Sequence, residues 1–120
     1  MYLDQEHQVD TLILSPRLAR LDASVAVDVR NAALPLIDTA TGDILLDLSQ
    51  VVFMDSSGLG AIVGMMKRAG RERRFQLCGL TPGVEKVFRL TRMDRVFEIS
   101  STRAEALSGE AAAGAPGAGG

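Results

Sequence analysis

Apolar positions along this chain alternate between short continuous runs and stripes of helical period. Residues 11–15 (TLILS), β-favouring and closed by Pro16, predict a strand. Beyond Asp22, residues Val25, Val29, Ala32, Ala33 and Leu36 return at helical spacing; Asp22 is the expected N-cap, and Pro35 is expected to end or bend the helix. Gly42 and Asp43 open the run IleLeuLeuAspLeu (44–48), with ValValPheMet (51–54) shortly after. Such near-continuous apolarity predicts a central strand covered on both faces. From Leu59 the period turns helical. Leu59, Ile62, Val63 and Met66 form the expected core stripe, which ends at Gly70 and the charged run 71–74.

Residues 75–79 (FQLCG) predict a third strand, and Thr81-Pro82 signals a turn and a helix start. The third helix, 83–90, is expected to turn Val84, Val87, Phe88 and Leu90 to the core. A last strand at 96–99 and a short closing helix over 101–107 complete the pattern. Strands alternating with helices predict a single α/β domain over 1–107 built on one main sheet. The Ala/Gly-rich stretch 108–120 holds no large apolar residue and reads as a disordered tail.

Composition narrows the function classes. A chain of 120 residues has room for one hydrophobic core, and its net charge of −2 gives no general attraction to nucleic acid or anionic membrane. Four Phe, one Tyr and no Trp are too few for a base-stacking platform. Cys78 is the only cysteine and His7 the only histidine, so neither a disulfide nor a zinc site is expected, and Cys78 reads as a buried strand residue. The N-terminal MYLDQEHQVD lacks a signal peptide's basic start, and no run approaches the ~20 apolar residues of a membrane span. A cytoplasmic location is expected, without direct membrane contact.

The informative segment is Met54-Asp55-Ser56-Ser57-Gly58-Leu59-Gly60, where a buried strand gives way to a helix. A helix start carries unpaired N–H donors and partial positive charge, and so accommodates a phosphate. Capping and turn geometry alone also account for Asp-Ser-Ser and the glycines. The spacing Gly58-x-Gly60-x-x-x-Gly64 is a loose dinucleotide fingerprint, but the next strand ends in GlnLeuCysGly, without the carboxylate a ribose needs. A nucleophilic serine needs a nearby base, and His7 is remote in sequence. The serine pair therefore looks like a substrate for another enzyme, and no catalytic residue or cofactor is expected in this chain. Ala61, Gly64, Met65 and Arg68 share the helix side opposite the predicted core stripe, with Ser57 at its start. A small, partly apolar side of this kind suits a docking partner; an ordinary solvated face accounts for it equally.

AspSerSerGlyLeuGly after ValValPheMet, with ArgLeuAspAlaSer upstream, resembles the STAS-domain anti-sigma factor antagonists. The likeness runs through about residues 9–107, including ThrPro before the third helix and MetAspArgValPheGluIle near the end. It implies a small mixed sheet with helices packed mainly on one side. It also implies a partner switch: the dephosphorylated form binds an anti-sigma factor that is a serine kinase of the histidine-kinase-like ATPase type, freeing the sigma factor. Phosphorylation ends that binding, and a PP2C-type phosphatase restores it. By the same resemblance Ser56 is the phosphoacceptor with Ser57 as second choice, Asp55 shapes the acceptor site, and Asp22 contributes to partner contact. The expected partner surface thus comprises Asp22, Asp55, Ser57, Gly58, Gly60, Ala61, Gly64, Met65 and Arg68. Where many members have Gly-x-Leu-Asp, this chain has Ala19-Arg20-Leu21-Asp22, which alters the turn and its local charge and so bears on partner choice. The alternative reading is an unmodified STAS-like scaffold subunit of a transporter or larger signalling complex.

Overall fold

The computed structural model describes residues 2–108; the tail expected from 108 onward otherwise lies outside the described residues. The first strand, β1 (Leu3–Gln8), was not foreseen, because only Leu3 of its six residues is buried and no apolar alternation marks it. A two-residue turn at Val9-Asp10 returns the chain into β2 (Thr11–Pro16), which is buried nearly throughout. The remaining elements are β3 (Arg20–Leu21), α1 (Ala26–Thr39), β4 (Asp43–Asp47), β5 (Phe53–Met54), α2 (Ser56–Ala69), β6 (Phe75–Cys78), α3 (Pro82–Leu90), a 3₁₀ turn at Met93–Arg95, β7 (Glu98–Ser100) and α4 (Arg103–Ser108).

The main sheet has the order β1-β2-β4-β6-β7, with β1 antiparallel to β2 and the other neighbours parallel. Each parallel step requires a crossover, which α1, α2 and α3 supply. These three pack on one face, over a core that includes Leu12, Leu14, Ile44, Leu46, Ile62, Leu77 and Phe88. On the other face Ile13, Leu45 and Cys78 lie against Ala106 of α4. The central strand β4 is therefore covered on both sides, as its apolar run predicts. Ile44, Leu45 and Leu46 are fully buried, each contributing about 1.5–3 kcal/mol of hydrophobic stabilisation. ValValPheMet behaves differently from a core strand. Only Phe53 and Met54 pair, with β3, in a small two-stranded parallel ribbon outside the main sheet.

Three helix expectations are corrected. Asp22 is not the N-cap of α1; Val25 occupies that position, and Asp22 instead heads the preceding turn, accepting from Ser24 N–H at 3.0 Å and Ser24 Oγ–H at 2.6 Å. Nor does α1 end at Pro35: it continues to Thr39, with Pro35 on the exposed side, where water can serve the carbonyl left without its N–H donor. In α3, Leu90 is 70% exposed and does not join Val84 and Phe88 in the core. Arg73 closes the far ends of both long helices, donating to Ile37 O, Ala40 O and Ala69 O at 2.9–3.0 Å. That guanidinium satisfies carbonyls that no helical N–H reaches.

Candidate functional site

Three short segments converge at the start of α2. The parallel pairing Arg20↔Phe53 and Leu21↔Met54 lays the loop before α1 beside the strand that leads into α2. Asp55 locks the two together with both carboxylate oxygens. Oδ1 accepts from Gly58 N–H at 3.0 Å, the N-cap bond of α2, and Oδ2 accepts from Ala23 N–H at 3.1 Å. A side chain expected to shape the acceptor site thus also fixes the neighbouring loop. Gly58 is required by the same junction, since a Cβ there would lie 2.1 Å from Leu21 O.

Ser56 and Ser57 occupy the first two positions of α2, and both are exposed. Their N–H groups belong to the first turn, which has no carbonyls four residues back to receive them. Gly60 is exposed with open space where a side chain would begin. Asp22 lies within reach of the same loop; its carboxyl is held below the usual range chiefly by the Ser24 hydroxyl, with the Ser24 N–H and Arg20 adding to it against the opposing effect of burial. Arg20 approaches Asp22 at 3.4 Å and stacks over the Phe53 ring at 4.1 Å from its centroid.

The expected docking side of α2 is not a free surface. Met65 is fully buried and Ala61 is 5% exposed, both turned inward with α1 packed alongside. Gly64 faces Arg30, whose Cδ would lie 3.2 Å from an added Cβ, and Arg68 is held in a two-pronged ion pair with Asp38 of α1 at 2.6–2.7 Å. The buried stripe runs through Gly58, Leu59, Ala61, Ile62, Met65 and Ala69; it keeps the predicted Leu59 and Ile62 and widens toward α1, because α2 packs against a helix as well as the sheet. Val63 and Met66, placed in the core by sequence, are only partly buried.

Other residues are exposed near the α2 start. A cleft of about 270 Å³ opens between the α1 and α2 starts, lined by Ala23, Val27, Arg30, Ser57, Gly60 and Ala61. Val27, in this cleft, is 60% exposed, and Val52 and Phe53, in the segment that leads to α2, are 57% and 39% exposed. Val27 carried a sequence signal, an apolar residue off the α1 stripe; Val52 and Phe53 did not, because they sit inside a run that reads as core. Cys78 lies apart from all this, buried, with its thiol pushed up to about 12 by burial and by the Asp47 charge. It is therefore unreactive. Among the described residues no group of three or more His, Cys, Asp or Glu side chains could hold a metal, and no helix is long and apolar enough to cross a membrane.

The chain thus combines a mixed five-stranded sheet, three helices on one face and an exposed serine pair at the head of α2. The chain matches the STAS domain over residues 2–106, and it belongs to the STAS-domain family of anti-sigma factor antagonists. It is similar to the anti-sigma-B factor antagonist of Listeria monocytogenes, with 33% identity over 87 residues that span 71% of this chain and 75% of that protein. The solved STAS-domain anti-sigma-factor antagonist of Planctomyces limnophilus shares 26% identity at a TM-score of 0.83, covering 91% of this chain and 97% of that one. The anti-sigma factor antagonist SpoIIAA, solved in its unphosphorylated form, shares 25% identity at a TM-score of 0.72 over 88% of this chain and 93% of that one.

Proposed function

We propose that this chain is a phosphorylation-controlled anti-sigma factor antagonist. Unmodified, it docks through the α2 start and the adjoining loops onto an anti-sigma factor that is a serine kinase of the histidine-kinase-like ATPase type, and the sigma factor is released. Transfer of phosphate to Ser56 ends docking, and a PP2C-type phosphatase resets the chain. The observation that carries this reading is the exposed Ser56 at the first position of a helix whose N-cap, Asp55, also braces the facing loop. A phosphoryl group there adds about −1.5 to −2 charge. The helix start tolerates that charge, so the fold persists. A partner seated over the α2 start and Val27 meets a hydrated dianion within its contact, so docking fails. The solved relative SpoIIAA is named with an unphosphorylated form, which accords with a modifiable antagonist.

The test is to incubate the purified chain with ATP and the anti-sigma kinase of its own host, and then to map phosphate by mass spectrometry. Phosphate on Ser56, absent in Ser56→Ala, is the expected result. Ser56→Ala keeps partner binding, whereas Ser56→Glu weakens it at least about tenfold, roughly 1.4 kcal/mol. Phosphate on Ser57 would move the switch by one residue. Binding without any phosphate transfer would leave an unmodified docking scaffold.

A further inference from the structure

A second surface lies at the opposite end of α2, about 20 Å along the helix from Ser56 at 1.5 Å per residue. There a groove of about 560 Å³ runs between the end of α2 and the starts of β6 and β7. Its apolar part is formed by Met66, Phe75 and Val96, the last 51% exposed. Four cationic side chains, Lys67, Arg71, Arg73 and Arg74, and a single carboxylate, Glu98, make up its charged lining. On a chain of net charge −2 this is a local reversal of sign.

The four cations are not equivalent. Arg74 is neutralised by Glu98 at 2.7 Å, and Arg73 is spent on three helix carbonyls, which leave its charge in place. Lys67 and Arg71 are exposed, and among the described residues neither forms an ion pair with a carboxylate. Two free cations beside an apolar strip ask for an occupant with both carboxylates and an apolar side chain. Nucleic acid fits poorly, because stacking needs exposed aromatic rings and Phe75 is only 7% exposed. An anionic membrane is recognised by clusters of about four to eight Lys or Arg on one face, more than the three un-neutralised here, Lys67, Arg71 and Arg73.

We propose that this groove is a second docking site, taking an extended acidic segment of a protein partner whose carboxylates meet Lys67 and Arg71 while an apolar side chain lies on Met66 and Val96. The site is independent of the serine switch, and its occupancy does not require Ser56 to be unmodified.

The experiment titrates the whole ¹⁵N-labelled chain with a short peptide of alternating glutamate and leucine, followed by amide NMR. Saturable shifts confined to the neighbourhood of Lys67, Arg71, Phe75 and Val96 are expected. The double variant Lys67→Glu/Arg71→Glu, which breaks no internal ion pair, should weaken binding at least about tenfold, and Val96→Asp should weaken it separately. A glutamine–leucine peptide and a peptide of glutamate alone should each bind more weakly than the parent. The proposal is overturned if the peptide gives no saturable shifts, if shifts map elsewhere, or if the folded double variant binds unchanged. Tighter binding of oligothymidylate or phosphatidylglycerol vesicles to the same residues would overturn it equally.

Discussion

Asp55 carries more than a cap normally does. Replacing it with Ala removes both the Gly58 and the Ala23 hydrogen bonds, so the loss should reach about 2 kcal/mol, the upper end for N-caps, in urea denaturation. Asp55→Asn retains an acceptor for one of them and should lose about half. Val9 presents the opposite case. It is a β-branched residue at φ +56°, 95% exposed, at the first position of the β1–β2 turn. Its side chain adds nothing to the core, while the left-handed backbone costs about 1–2 kcal/mol. Val9→Gly should therefore raise the melting temperature by several degrees in calorimetry, with partner binding unchanged.

Among the elements, α4 is the least self-sufficient, a six-residue helix held by the packing of Ala106 and by the polar contacts of Arg103. Arg103 donates to Asp47 Oδ2 at 2.8 Å and to Ser15 Oγ at 3.2 Å, and it also pairs with Glu6, so the last helix is joined to β1, β2 and β4. Burial alone would raise the Asp47 pKa, but the hydrogen bonds from Ser49 and Arg103 outweigh it, and the carboxyl lies below its usual range. The unfolded chain therefore binds more protons than the folded one as this group titrates, and stability falls with acid. The contribution is complete above the unfolded carboxylate value of about 4 and is lost progressively as pH falls from there through the lower folded value. Asp47→Asn should lose about 1.5–3 kcal/mol at neutral pH, with the gap to wild type closing in urea melts at about pH 3. In α1, Pro35→Ala restores a donor for the Asn31 carbonyl and should stabilise the protein by about 1–2 kcal/mol, the helix-interior penalty less the gain in unfolded-chain entropy.

For the molecule as a whole, the sheet carries the proposed switch at one end of α2. The switch reading requires that charge at Ser56 alter binding and leave the fold alone. Ser56→Glu should accordingly keep the wild-type circular dichroism spectrum and stability, or gain up to about 1 kcal/mol from the helix start, while partner binding drops. Loss of folding in that variant would instead make the serine a structural residue. The two proposed docking regions lie at opposite ends of α2, so the Lys67→Glu/Arg71→Glu protein should remain a full substrate for phosphorylation at Ser56.

Local chemistry was enough to read the alternation of strands and helices, the doubly covered β4, the end of α2 at Gly70, and the serine pair at the head of that helix. Each depends on residues close together in the chain, where period, turn residues and capping act directly. Tertiary packing alone decided that Met65 and Ala61 face inward, because a helix packed against both a sheet and another helix buries a wider stripe than its own period reveals. It alone paired Phe53 with Arg20, turned Asp22 from cap to turn, and let β1 form from polar residues by giving them a hydrogen-bonded neighbour. Partners distant in sequence set those outcomes, and no window of the sequence contains both members of such a pair.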